Sequence, residues 1–373
     1  MNSTPDSPRP TRVLVTDDSA FMRAALSRMI ESNPLLQVCG TAQSGAQALE
    51  KIAALQPDVV TLDVEMPGLD GVETLRTIMK EFPRPVIMVS SLTQAHAEIT
   101  LEALDIGAFD YVSKQQAQPN LEIVKIRDEL IAKIIAAAES TRRRQSSNVP
   151  PKRLNQHALE DDHLRPAVIA LGTSTGGPKA LQQILPLLPK DLPVGVLIVQ
   201  HMPLGFTGPF AARLDKLCQV AVREARHDET VEPGVVYIAP AGQHMTVTRQ
   251  TSSKVLICLS ALPDDTLHRP SVDVMMLSVA RAYRALCLGV IMTGMGADGV
   301  QGMKAIAAAG GLTLGQDEAS CTVYGMPRSC AEAGVLRHVV TLAQIPDYVL
   351  RATRYRKGPV PPDLANHRIV GGS

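Results

Sequence analysis

Two groups of side chains in this 373-residue sequence have types and spacing suited to chemistry. The first is acidic. Asp17 and Asp18 follow the apolar run Arg12–Thr16, and Asp63 closes the run Val59–Asp63. Ser90 and Ser91 follow Val86–Val89, and Lys114 follows Tyr111–Ser113. Three carboxylates at neighbouring strand ends repel one another unless a cation lies among them, and oxygen ligands suit a hard divalent ion such as Mg2+. A lysine and a hydroxyl beside them would stabilise negative charge arriving on one carboxylate. A phosphoryl group on Asp63 is the natural candidate, since carboxylates serve as covalent nucleophiles in phosphoryl transfer. The competing reading is that the acidic residues cap the helix-like stretch SAFMRAAL, which begins just after Asp18.

The second group lies further along. After Ala167–Leu171 comes GTSTGG, in which Gly172–Gly176 satisfy G-x-S-x-G. That pattern sets a serine, here Ser174, on a sharp strand-to-helix turn with its hydroxyl exposed. A Gly-rich turn before a helix also binds phosphate, but neither G-x-G-x-x-G spacing nor a P-loop lysine is present. His201 follows Val194–Gln200, and Asp298 lies in TGMGADG after Cys287–Met292. Asp298 is also placed to cap the stretch VQGMKAIAAA. Delivered to one edge, Ser, His and Asp are what acyl transfer needs: a nucleophile, a base, and a carboxylate that fixes the base's tautomer, with N–H groups of Gly-rich turns for the oxyanion. The order Ser…His…Asp differs from that of the α/β-hydrolases, so any similarity to them is local.

The elements that must hold these residues alternate. The N-terminal runs Arg12–Thr16, Val38–Ala42, Val59–Asp63, Val86–Ser90 and Tyr111–Ser113 are separated by amphipathic stretches such as FMRAALSRMIESN and GAQALEKIAALQ. Ala167–Leu171, Val194–Gln200, Cys287–Met292 and Leu312–Leu314 repeat the pattern. The spacing predicts βαβ units and parallel sheets, which bind ligands outside the carboxyl ends of their strands. Val235–Ile238, His244–Arg249 and Val255–Leu259 are short and turn-separated, and read as antiparallel hairpins. Between the halves, Leu121–Ser140 has helical periodicity and TRRRQSSNVPPKRLNQHALEDDH reads as a linker. The domains expected are 11–125, a helix and linker over 126–165, a second domain over 166–352, and a tail over 353–373.

Composition narrows the function classes. The chain carries 37 Lys and Arg against 37 Asp and Glu, no Trp, 6 Tyr and 5 Phe. This argues against a polybasic nucleic-acid binder and against an aromatic platform for single strands. Residues 1–120 hold 9 positive and 15 negative side chains, a net of −6, while 166–373 hold 19 and 15, a net of +4. No apolar run approaches membrane-spanning length, and MNSTPDSPRPTR has no signal-like apolar core. The six cysteines show no C-x-x-C spacing and read as buried free thiols of a cytoplasmic protein.

Residues 12–120 resemble a response-regulator receiver domain through DDS at Asp17–Ser19, LDVEMPGLDG at Leu62–Gly71, VSSLT at Val89–Thr93 and DYVSK at Asp110–Lys114. The resemblance implies Asp63 as phospho-acceptor. It implies Mg2+ held by Asp17, Asp18, Asp63 and the Glu65 carbonyl, with Ser90 and Tyr111 as the switch pair and Lys114 as the phosphate-sensing lysine. The family pattern has proline after that lysine, where this chain has Gln115. Downstream, GTSTGG, QHMP, HRPSVD at His268–Asp273, TGMGADG and YGMP at Tyr324–Pro327 together resemble the chemotaxis protein-glutamate methylesterase family (CheB). That resemblance implies a triad of Ser174, His201 and Asp298, support from Thr175, and an oxyanion N–H from Met295. HRPSVD is expected to line the substrate approach, the alternative being a solvated loop.

The implied fold is α/β with two doubly wound domains: a flavodoxin-like, five-stranded parallel receiver and a three-layer αβα, mostly parallel esterase domain. The implied function is phosphorylation-activated hydrolysis of glutamate methyl esters on chemoreceptors, together with glutamine deamidation. The expected partners are those receptors and a chemotaxis histidine kinase. No nucleic acid, no membrane insertion, no cofactor in the esterase domain and a monomeric state are expected. The alternatives are a receiver-regulated, non-catalytic signalling module and an esterase acting on a small-molecule ester.

Overall fold

The computed structural model describes residues 9–91, 94–114, 122–146 and 165–353. Gln115, the linker and the tail beyond Thr353 lie outside them. In the first part β1 (Thr11–Thr16), α1 (Ala20–Glu31), β2 (Leu36–Ala42), α2 (Gly45–Leu55), β3 (Val59–Asp63), α3 (Gly71–Glu81), β4 (Val86–Ser91), α4 (Gln94–Ile106), β5 (Asp110–Lys114) and α5 (Glu122–Ser146) alternate without exception. The strands pair in parallel in the order β2-β1-β3-β4-β5. That order reverses direction between β1 and β3, so the carboxyl ends of those strands open on one crevice.

One boundary differs from the expectation. The helix assigned to the segment after residue 125 belongs to the receiver. Leu130, Ile134, Ala137 and Ala138 of α5 are buried with Val13, Val15, Ile87, Val89 and Val112 of the sheet. Its apolar stripe has the helical period, but the sequence pattern does not say which surface the stripe covers.

The second part comprises β6 (Val168–Thr173), α6 (Gly177–Ile184), β7 (Gly195–Gln200), α7 (Thr207–Leu217), β8 (Ala221–Glu224), β9 (Val235–Ile238), β10 (His244–Arg249), β11 (Val255–Ser260), α8 (Val272–Tyr283), β12 (Cys287–Ile291), α9 (Val300–Ala308), β13 (Leu312–Gln316), α10 (Met326–Glu332), β14 (His338–Val340) and α11 (Ile345–Ala352). Seven strands form one sheet in the order β14-β13-β12-β6-β7-β9-β8, every adjacent pair parallel. The chain winds outward from β6 through β7, then returns to β12 on its other side, which sets the switch point between β6 and β12. Strand alternation divides the core. Ile169, Leu171, Val196 and Ile198 face α6, α7 and α11. Val168, Ala170, Leu197 and Val199 face α8, α9, α10 and the β10–β11 hairpin.

Of the three expected hairpin strands, only β10 and β11 pair antiparallel. Val235–Ile238 is instead a parallel strand between β7 and β8, buried along its whole length. β8 and β14, unanticipated, are edge strands of four and three residues. The six cysteines are free, but only Cys287 and Cys330 are buried.

Candidate active site

The register of the second sheet brings the expected residues together. Thr173 of β6 pairs with Gln200 of β7, so Ser174 and His201 are the next residues on adjacent strands. The His201 N–H donates to Thr173 O at 3.2 Å, and the Ser174 N–H donates to Thr293 O at 3.0 Å just beyond β12. Gln200, 2% exposed, donates from Nε2 to Ser174 O at 3.0 Å and to His201 O at 2.9 Å. One buried amide thus ties the two turns. The sequence offered a signal for it, a lone polar residue closing an apolar run.

His201 Nε2–H donates to Asp298 Oδ2 at 2.8 Å. That leaves Nδ1, buried and with no hydrogen-bond partner among the described residues. The imidazole is therefore held by one nitrogen and has the other available for a proton. The bond from Ser174 to it is unmade here; such contacts often tighten only with substrate.

Asp298 does not cap the helix that follows it. The N-cap of α9 is Gly299, with no side-chain bond. Asp298 instead reaches the N-terminus of α8. Oδ1 accepts from Ser271 Oγ at 2.9 Å and the Asp273 N–H at 2.9 Å, and Oδ2 accepts from the Val272 N–H at 2.7 Å. Burial by itself would push this carboxyl up, but the His201 bond and charge and the two backbone donors hold it at about 2. Ser271 is in turn held by His244, fully buried, whose Nδ1 accepts the Ser271 N–H at 3.2 Å. The end of HRPSVD therefore grips the carboxylate rather than forming a solvated loop. Its first residue, His268, stacks on the His201 ring with centroids 4.0 Å apart. Sequence reasoning missed Ser271, His244 and His268 as individuals, although the motif flagged two of them.

The turn after β12 abuts the serine. A Cβ added to Gly294 would stand 2.9 Å from Ser174 Cβ and 3.0 Å from its N. The Gly294 N–H donates to Val323 O, and Gly294 O accepts from the Gly325 and Met326 N–H groups. This pins the backbone that leads into Met295. Thr175 is buried, its carbonyl accepting from Thr293 Oγ1 at 2.9 Å. Gly177, at the start of α6, packs directly on Gln200: a Cβ there would fall 1.9 Å from Gln200 Oε1.

The acidic group of the first part also converges. Carboxylate oxygens of Asp17, Asp18 and Asp63 lie within 4.8 Å of one another, Asp18 exposed and the other two buried. Lys114 Nζ reaches Asp17 Oδ2 at 2.7 Å and Asp63 Oδ2 at 2.6 Å. Burial pushes the Asp63 carboxyl up to about 6, the Lys114 bond and charge opposing it and Asp17 adding to it. The Glu65 N–H donates to Asp63 Oδ1 at 3.3 Å. Ser19, not an aspartate, caps α1, so the carboxylates are left for the crevice. Ser90 Oγ accepts from Thr100 Oγ1 at 2.9 Å.

The two parts meet across a shared interface. Tyr111, 4% exposed, lies parallel to Phe206 of the second part, ring centroids 5.1 Å apart. The buried carboxyl of Asp110 is raised by desolvation, against Lys133 and the hydroxyl of Thr175, which it faces across the interface. Arg213 of α7 pairs with Asp105 of α4. One apolar cluster runs from Ala97, Leu101 and Leu104 of α4 to Phe206, Phe210 and Ala211.

Residues 169–349 match the family described as CheB methylesterase, and residues 13–124 match the response regulator receiver domain. A protein-glutamate methylesterase/protein-glutamine glutaminase of Symbiobacterium thermophilum is 48% identical over 356 residues, 92% of this chain and 97% of that protein. A protein of the same name from Pyrococcus abyssi is 44% identical over 356 residues, 94% of this chain and 95% of that one. The catalytic domain of a Thermotoga maritima CheB methylesterase is 38% identical, covering 50% of this chain and 98% of its own, with a TM-score of 0.49. With the geometry of both sites and nearly full-length identity in agreement, this chain belongs to the CheB methylesterase family, its methylesterase domain joined to a response-regulator receiver.

Proposed function

We propose that the chain is a phosphorylation-activated protein-glutamate methylesterase and glutamine deamidase acting on chemoreceptors. The observation that carries this is the His201–Asp298 pair, with its free Nδ1, on the strand next to Ser174. Ser174 Oγ attacks the γ-carbonyl of a glutamyl methyl ester as His201 Nδ1 takes its proton. Asp298 keeps the other nitrogen protonated and stabilises the imidazolium. The Met295 N–H and the Gly-rich turns stabilise the oxyanion, an effect worth on the order of 10²–10³ in rate per donor. Thr175 supports this backbone. Methanol leaves with the proton from His201, and water, deprotonated in its turn, releases glutamate. A glutamine amide follows the same route with ammonia as the leaving group.

Asp63 is the phospho-acceptor. The carboxylates of Asp17, Asp18 and Asp63 fit an oxygen-ligated divalent ion such as Mg2+, with the Glu65 carbonyl completing the set. When bound, that ion supplies charge neutralisation for the incoming phosphoryl group. Lys114 holds the Asp63 and Asp17 oxygens in place, and Ser90 and Tyr111 respond to the modification. The phosphodonor is a chemotaxis histidine kinase. The esterase lies within 166–352, needs no cofactor, and works in a cytoplasmic monomer; no helix among the described residues is long and apolar enough to cross a membrane.

Control is by occlusion. With Tyr111 on Phe206 and Asp110 facing Thr175, the receiver covers the residue beside the nucleophile. A shift of about 2 kcal/mol in that docking changes the open population roughly thirtyfold. The test is methanol release from methylated receptor membranes with and without a phosphodonor. Wild type should respond to the donor. Ser174→Ala should release no methanol yet still be phosphorylated at Asp63, and near wild-type turnover by it would refute the assignment.

A further inference from the structure

His268 does more than line an approach. Its ring lies over that of His201, centroids 4.0 Å apart and planes 22° apart. Two histidines stacked this closely oppose each other if both are charged, so one must stay neutral while the other cycles. His268 is the neutral member: burial and the neighbouring His201 push it down to about 4, against Asp298 and Glu129. His201, by contrast, has the Asp298 carboxylate on its Nε2.

We propose that His268 is a positioning residue for the esterase reaction, its neutral ring forming an aromatic platform that holds the His201 plane and favours the imidazolium formed as Ser174 attacks. This rests on the esterase reading above and adds a residue to it. The physical basis is the attraction between a cation and an aromatic face, strongest where water is excluded. His201 is charged only after it has taken the serine proton. The interaction therefore grows between the ground state and the transition state, and an interaction of that kind raises kcat without tightening substrate binding. Both rings come from the second part, His201 from the turn after β7 and His268 from the segment before α8. The HRPSVD stretch thus serves the triad twice, through Asp298 at one end and His201 at the other.

The experiment uses the full chain, activated with a small-molecule phosphodonor, on radiomethylated receptor membranes. Each variant is normalised to the fraction labelled by a serine-directed fluorophosphonate, which also corrects for misfolded protein. His268→Phe keeps an aromatic face, while His268→Gln keeps polarity and removes it. The expected result is a loss of about tenfold in kcat for His268→Gln with KM within twofold, and kcat within about threefold of wild type for His268→Phe. A tenfold loss corresponds to about 1.4 kcal/mol. Equal rates for the two variants, or a raised KM at unchanged kcat, would overturn the proposal. If the wild-type chain itself takes up no fluorophosphonate, the nucleophile assignment fails and the role of the stack with it.

Discussion

Asp298→Asn separates the two tasks of that carboxylate. The native group accepts four hydrogen bonds, from His201, Ser271 Oγ, and the Val272 and Asp273 N–H groups. An amide can accept on one atom only, so its NH2 must stand either at Oδ2, facing His201 and the Val272 N–H, or at Oδ1, facing Ser271 Oγ and the Asp273 N–H, and one pair of donors loses its acceptor. With the amide donating toward His201, the imidazole takes the wrong tautomer and its free nitrogen cannot act as a base. The corresponding change in a serine triad costs about 10⁴ in rate, roughly 5.5 kcal/mol. Stability falls as well. A carboxyl held at about 2 against the usual aspartate value of 3.8 contributes about 2 kcal/mol. The folded value is depressed, so this stability is present above about pH 4 and is lost as pH falls toward 2. The assays are methanol release and thermal melting of wild type and variant from pH 7 down to pH 3. Turnover should fall by three to four orders of magnitude. At neutral pH the melting transition of the esterase part should drop by about 4–8 °C, and the gap should narrow with acid. Turnover within tenfold of wild type, or a gap constant from pH 7 to pH 3, would refute the reasoning.

Other consequences are as direct. Arg213→Glu sets a negative charge against Asp105 on the receiver; turnover without phosphodonor should rise severalfold, and an unchanged basal rate would count against occlusion. Lys114→Ala strips the cation from two buried carboxylates; the receiver should lose about 3–5 kcal/mol by thermal melting, and added Mg2+ should recover part of it. Gly177→Ala drives a methyl group into Gln200 Oε1 and Thr173 Oγ1; the displaced turn should cost on the order of 10² in turnover, with circular dichroism close to wild type.

Much of this was legible beforehand because parallel α/β sheets collect chemistry at strand ends, and residues that follow apolar runs can be read from one dimension. The acidic triplet with Lys114 was read in that way and converges; His201 and Asp298 were read so too and bond each other, with Ser174 at the end of the adjacent strand. Short elements were not legible. β8 and β14 carry charged or polar residues over four and three positions, too few to show a period. Val235–Ile238 has the same composition as a hairpin strand, and only its neighbours β7 and β8 make it parallel.

By itself the sequence determined which side chains are available for phosphoryl and acyl transfer and that parallel strands would present them, since strand period and following residue are local properties. Tertiary structure alone decided how they are held. Asp298 turns from the helix next to it to one that begins 26 residues earlier at Val272. His268 is laid on His201 from 67 positions away. Tyr111 meets Phe206 across two domains. These are contacts between elements whose faces are chosen by packing, and a side chain's partner on another element is set by the shape of the whole core, not by the residues beside it in the chain.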